Sequence, residues 1–568
     1  MKAHVPDWAK DVVWYQIFPE RFRNGCPASD PRVEDVTDHP IEGWTTSRWG
    51  QDWYAVEGWE ASRKGFWDSV YLRRFGGDLV GIRDRLDYLQ TLGITALYLN
   101  PVFWAQSLHK YDGTCFHHID PTFGPDREGD LNRLAEAEET EDPSTWIWTA
   151  ADRYFVDLVA EIHRRGMRII IDGVFNHAGR HFFAFQDLLR NGKASRYADW
   201  FLIKQWNSDT SFDYDGWFGH KALPEFNRTP ENLIAPVKQY IFDCTRRWMD
   251  PDGDGDPADG VDGWRLDVAF CVPHGFWRAW RSHVKRINPE AYLTAEIVDL
   301  AKAYLQGDEF DAVMNYMWLY PTVSFFSDAQ PPMTAAAFRT ALDDLRHAYP
   351  EEVSFVVQNL LDSHDVGRVA SVLNNPSMLP VVNFDHYFNA SRVKHGGDFV
   401  TARPGPRVYR HLQQAVLFQM TYVGAPMIYY GTEVGMWGAN DPDDRQPMLW
   451  DDLDFDDETL GPWGAVERSP RKPDAELFAF YRKAIALRAG HPSLRRGSLR
   501  WLPTEGERVL AFERRLDGET IRVYLNSSDQ RETVALPEGG QDLWHDRPVK
   551  ETELLEPRGW LIVASPAV

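Results

Sequence analysis

The sequence predicts a (β/α)8 barrel carrying a small inserted domain B and followed by a C-terminal all-β sandwich domain, on three observations. Eight short apolar runs alternate with stretches of helical periodicity. Three of those runs end in carboxylates, at Asp267, Glu296 and the Asp362-Ser363-His364-Asp365 segment. From Gly497 the rhythm changes to short alternating strands such as Ile521-Arg522-Val523-Tyr524-Leu525, bounded by Gly, Asn and Ser.

The first strand covers 12–18 and is followed, after Gly76-Gly77-Asp78, by a helix over 81–92 with Ile82, Leu86 and Leu89 on one face. Strand 95–100, helix 154–165 and strand 167–172 follow, then helix 233–249 and strand 261–267. Helix 275–287 leads to strands 292–296 and 312–315, and helix 334–347 to strand 356–362. Helix 411–422, strand 427–430 and helix 475–488 complete the series. Alternation of this kind calls for a parallel barrel, which carries its chemistry at the C-terminal ends of its strands. Two connections, 103–149 and 177–233, are too long for plain turns. The expected organisation is a barrel from 1–176 and 234–496, an inserted domain over 177–233, and a β-sandwich over 497–568.

A chain of 568 residues supports more than one core. Its formal charge, 61 minus 85, is −24, which argues against nucleic acid or an anionic membrane as partner. Four cysteines, Cys26, Cys115, Cys244 and Cys271, are too sparse for a disulfide scaffold and lack metal spacing. The start has no apolar leader and no later run is long enough to cross a bilayer, so a cytoplasmic location is expected.

In the strand Asp262-Gly263-Trp264-Arg265-Leu266-Asp267, the two-residue repeat puts Arg265 and Asp267 on one side. A guanidinium there is expected to lower the Asp267 pKa and keep it ionised, as a nucleophile requires. Neighbouring strands lie ~4.8 Å apart, so Asp267 and Glu296 suit the ~5–5.5 Å separation of a retaining glycosidase. Glu296, crowded by two like charges, is expected to have the highest pKa of the three carboxyls.

With their surroundings these motifs resemble the α-amylase superfamily of glycoside hydrolases, within it the cyclomaltodextrinase and neopullulanase group, from about Trp14 to Trp450. The resemblance implies Asp267 as nucleophile, Glu296 as acid/base and Asp365 as the third carboxylate. It implies that His177, in Asp172-Gly173-Val174-Phe175-Asn176-His177, bonds the sugar while Asp172 supports Arg265, and that His109 and Tyr111 line the same subsite with His364. Asp441 and Arg445 would grip the next glucose. The first strand begins almost at once, so the N-terminal domain that pairs subunits in many of these enzymes is not expected, and the chain is read as monomer or homodimer.

The departures from the pattern bear on specificity. Phe270 and Cys271 stand where the group has Asn-Glu, so the leaving-group side becomes apolar and Phe270 is a candidate sugar platform. Leu223-Pro224-Glu225-Phe226-Asn227 replaces the segment that tracks linkage preference, which leaves α-1,4 and α-1,6 open. No cofactor is required. The resemblance implies a structural Ca2+: one family site would draw on Asn24, Asp30, Gly76 and Asp78, with Cys26 and Ser29 at expected oxygen ligands, and another on Asn176 and residue 271, here a cysteine. Asp250–Asp256 resembles the start of a calcium loop. The reading is a retaining hydrolase of short cyclic or branched malto-oligosaccharides; the alternatives are an α-glucan transglycosylase and a non-catalytic sugar-binding relative, the latter disfavoured by three intact acids.

Overall fold

The computed structural model describes residues 4–536 and 540–564. Eight parallel strands form its centre: β1 Trp14–Ile17, β2 Ala96–Leu99, β3 Arg168–Gly173, β4 Gly263–Leu266, β5 Tyr292–Ala295, β6 Ala312–Val313, β7 Gln358–Leu360 and β8 Ala425–Tyr429. Their order is β6-β5-β4-β3-β2-β1-β8-β7. A parallel bridge between Met314 and Gln358 closes the ring. Runs such as Ile169-Ile170-Ile171 are buried because one face of a barrel strand meets the interior and the other the helices.

The helices follow from their patterns and caps. Ala150–Arg164 buries Ala151, Phe155, Leu158, Val159 and Ile162 on one stripe, and Thr149 and Asp152 cap each other reciprocally at its start. Two expected elements differ. The helix over 81–92 breaks at Arg85 into Leu79–Asp84 and Leu86–Leu92. The strand over 312–315 shortens to β6 and runs into an unforeseen helix, Tyr316–Phe325. That helix is buried on nearly every side, so it has no polar face to betray its period.

A third long connection, between β1 and Leu79, was not foreseen as a separate unit. Trp53, Tyr54, Phe66, Val70 and Phe75 give it a small core of its own. The segment after β3 contains a hairpin, Ile203–Trp206 with Phe212–Tyr214. The C-terminal region has a six-stranded sheet, with Glu519–Asn526 and Trp560–Ala564 at its centre and Val509–Leu516 beside them, and a two-stranded sheet, Glu532–Ala535 with Thr552–Leu555. Alternation along the strand explains the packing: Val509 and Ala511 join Val534 and Leu555, whereas Leu510 and Phe512 join the barrel core. Among the described residues no helix is long and apolar enough to cross a membrane.

Candidate active site

The strand ends converge on one guanidinium. Arg265, fully buried on β4, sets Nη1 3.0 Å from Asp172 Oδ1 and 3.0 Å from Asp267 Oδ1, and Nη2 3.0 Å from Glu296 Oε2 and 3.7 Å from Asp365 Oδ2. Asp172, the next-to-last residue of β3, lies beside Arg265, its register partner on β4, and Asp267 and Glu296 directly follow β4 and β5. The sequence expectation that Arg265 keeps Asp267 low is overturned. Burial and the adjacent Glu296 charge push Asp267 well above the carboxylate range, outweighing the guanidinium. Burial and Glu296 likewise raise Asp365 to about 7. Glu296 thus supplies the like charge that crowds both Asp267 and Asp365.

The backbone just after Asp267 holds the Glu296 carboxylate. Val268 adopts φ 37° and ψ 47°, a left-handed conformation that a β-branched residue rarely takes. Its N–H thereby donates to Glu296 Oε2 at 2.9 Å.

A polar network supports the floor. Asp172 Oδ2 accepts from the hydroxyls of Tyr98 at 2.7 Å and Tyr111 at 2.9 Å. Gln16 Nε2 donates to His364 Nδ1 at 2.8 Å and to Asn100 Oδ1 at 3.0 Å, which leaves the His364 proton on Nε2, 2.6 Å from the Tyr111 hydroxyl. Burial and the charges of Arg265 and Arg445 hold His364 well below the usual histidine range, so it stays neutral. His109 accepts from the Tyr111 N–H at 3.1 Å, and burial pushes it down to about 3. Arg445 donates through Nε to the His364 carbonyl at 2.8 Å, pairs with Asp441 at 3.2 Å and lies 3.7 Å from Asp365.

His177 is also buried and neutral, pushed down to about 3. Asn176 Nδ2 donates to its Nδ1 at 3.2 Å, which puts the proton on Nε2. The His177 ring lies 5.6 Å from that of Trp217, whose indole N–H is turned to Cys271, and His177 itself reaches the Tyr111 backbone. Phe270 lies outside the cluster: it is 42% exposed and lines an open groove with Cys271, Val272 and His274.

Sequence reasoning missed Gln16, Tyr98, Asn100, Val268 and Arg228. Gln16 and Asn100 had a signal, since each is a polar residue within or at the end of a buried apolar strand. Arg228 had none. It donates from Nη1 to Asn176 Oδ1 at 2.6 Å and to the Cys271 carbonyl at 3.0 Å, and from Nη2 to Glu225 at 2.8 Å. A guanidinium thus sits where calcium would need Asn176 and residue 271, and those residues do not fit a metal. At the other implied site, Asn24 Nδ2 donates to Asp30 at 2.6 Å and Asn24 Oδ1 is buried without a partner. Gly76, at φ +75°, leaves room there that a Cβ would fill, 2.3 Å from Asp30 Oδ1. Asp78 is brought close but takes N–H groups from Gly25, Cys26 and Gly81, an N-cap geometry. Asn24 and Asp30 fit a hard cation, and Asp78 does not. Asp250, Asp252 and Asp259 also converge.

The alpha amylase catalytic domain pattern matches residues 16–142 and 151–497. The chain belongs to the alpha-amylase family. This α-amylase family glycoside hydrolase is 38% identical over 548 residues to neopullulanase 2 of Thermoactinomyces vulgaris, covering 95% of this chain and 74% of that protein. It is 35% identical over 543 residues to the cyclomaltodextrinase of Geobacillus thermopakistaniensis, covering 95% of this chain and 72% of that protein. Its fold matches the cyclic α-maltosyl-(1→6)-maltose hydrolase of Arthrobacter globiformis with a TM-score of 0.71 at 28% identity, covering 99% of this chain and 100% of the other.

Proposed function

We propose that this family member hydrolyses short cyclic or branched malto-oligosaccharides with retention, with Asp267 as nucleophile and Glu296 as acid/base. The observation that carries the reading is that Asp267 and Glu296, at the tips of adjacent strands, each lie 3.0 Å from one buried guanidinium. With the proton on Glu296, the charge that raises Asp267 is gone and Arg265 pairs with Asp267 as a carboxylate; in the first step Glu296 gives that proton to the glycosidic oxygen, the C–O bond breaks, and the Asp267 carboxylate oxygen bonds the anomeric carbon. In the second, Glu296 takes a proton from water, the water oxygen bonds that carbon, and Asp267 leaves as carboxylate. Asp365 and His364 would hold the ring's hydroxyls, Tyr111 would stack beneath it, and His109 and His177 would bond it. Asp441 and Arg445 would meet the following sugar. A cation at Asn24 and Asp30 would be structural and takes no part in these steps.

The names of the similar proteins support cyclic, pullulan-type and maltosyl-maltose substrates. Cyclodextrins, pullulan, panose and cyclic maltosyl-maltose digested side by side give the preference. Proton NMR of the first product tests the mechanism: the α-anomer is expected, and an initial β-anomer would overturn retention. Glu296→Gln should lower kcat by roughly 10²–10⁴-fold with sugar binding kept.

The exposed ring of Phe270 favours a second reading, glucan transfer, in which a sugar acceptor stacks there. Phe270→Asn should then shift the transfer-to-hydrolysis ratio. A cytoplasmic location and a monomeric or homodimeric state belong to the same proposal. Four free cysteines suit a reducing compartment; cell fractionation and light scattering test both points.

A further inference from the structure

The connection after β2 holds a second constellation, which shares no residue with the carboxylate cluster. His117 and His118 are buried with ring centroids 4.6 Å apart. Their Nε2 atoms approach one carboxylate oxygen, Glu139 Oε2, at 3.5 and 2.8 Å. All three ligand atoms lie within 4.8 Å of one another. Two imidazole nitrogens and one carboxylate oxygen are a ligand set that borderline-soft divalent ions prefer.

The outer nitrogens are held as metal-binding histidines are. His118 Nδ1 lies 2.7 Å from Asp152 Oδ2, and His117 Nδ1 lies 2.8 Å from the Tyr240 hydroxyl. Such contacts fix ring direction and leave each Nε2 to face the ligand. Trp146 stacks on His117 at 4.4 Å and 5° and blocks its rotation. Asp152 is itself pinned by the Ile119 N–H at 2.8 Å and by Arg247 at 3.1 Å. A tetrahedral ion with bonds of ~2.0–2.2 Å separates its ligands by roughly 3.3–3.6 Å; the His117–Glu139 spacing already matches this, and the His118–Glu139 spacing must open by about half an ångström or more. Glu139 is the partly exposed member, which leaves its side open for a water as fourth ligand.

We propose that His117, His118 and Glu139 bind a zinc-class divalent ion. The ion would be structural. It would tie the connection that bears His109 and Tyr111 to the helices Ala150–Arg164 and Ala235–Met249, which supply Asp152 and Tyr240. The two histidines would bind it through Nε2 as neutral ligands, His118 releasing to solvent the Nε2 proton it now shares with Glu139.

The test uses the full chain, stripped with chelator and titrated with zinc chloride by calorimetry, with cobalt chloride as an optical reporter of tetrahedral coordination. One equivalent per chain, a zinc-induced rise in Tm that EDTA reverses, and affinity lowered at least ~10- to 100-fold in Glu139→Gln and His117→Gln are expected. Glu139→Gln keeps the reading available if the buried variant fails to fold, because Glu139 sits at the edge. No stoichiometric binding, a Tm that zinc leaves unmoved, or zinc affinity unchanged in Glu139→Gln would each overturn the proposal.

Discussion

Arg228→Ala is the most informative substitution in the site, because Arg228 touches none of the three carboxylates and still fixes His177, the proposed sugar-binding group. Its Nη1 joins Asn176 Oδ1 to the Cys271 carbonyl, at 2.6 and 3.0 Å. With Oδ1 claimed by the guanidinium, the amide of Asn176 must turn Nδ2 toward His177, and the imidazole must then carry its proton on Nε2. Two charge-assisted bonds at about 1.5–3 kcal/mol each lock this arrangement, roughly 3–6 kcal/mol in all. Part of that is recovered when water or a flipped amide fills the gap, so a loss of about 1.5–3 kcal/mol in kcat/KM is expected, or roughly 10- to 150-fold. It should fall mainly on KM, because the hydrogen bond from His177 forms when sugar binds. Arg228→Lys should recover little, since a point charge cannot reach two acceptors as a fork does. Steady-state kinetics on a cyclodextrin decide the matter. An Arg228→Ala enzyme within about twofold of the parent, or a fully active Arg228→Lys, would refute the reasoning.

Two further outcomes follow from the same cluster. Asp365 is held at about 7, above its unfolded value of ~3.9, so between those limits the folded state keeps a proton that the unfolded chain releases. Its stabilising contribution is complete below about pH 4 and is lost as pH rises through 7, at most ~4 kcal/mol; Asp365→Asn should flatten that falling limb in urea midpoints taken from pH 5 to 8, and an unchanged slope would disprove the assignment. Tyr98→Phe removes one of the two hydroxyls on Asp172 Oδ2 and should reduce kcat/KM by up to about tenfold, with Tm lowered; unaltered kinetics would show that Tyr111 and Arg265 alone hold Asp172.

The barrel was legible because its strands are apolar on both faces and end in acids, a pattern that chain-local chemistry writes directly. Helix Tyr316–Phe325 was not, since burial on all sides removes the polar stripe that gives a helix its period. Meeting of Asp172, Asp267, Glu296 and Asp365 at Arg265 could be anticipated from strand ends and family motifs. The protonation balance could not: spacing along β4 gives the attractive guanidinium but neither the depth of burial nor the charge arriving from β5. Arg228 was invisible for a related reason. Its acceptors lie 52 and 43 positions away, in loops whose meeting only the closed fold decides.

Because Arg265 is the common counter-ion of acids delivered from four parts of the chain, none of them is energetically independent. Neutralising one frees the cation to draw the others closer, so the second substitution acts on an altered electrostatic background. Double substitutions such as Asp172→Asn with Asp365→Asn should therefore fall short of the product of their single effects, and the coupling energy would report how tightly the quartet behaves as one titrating unit.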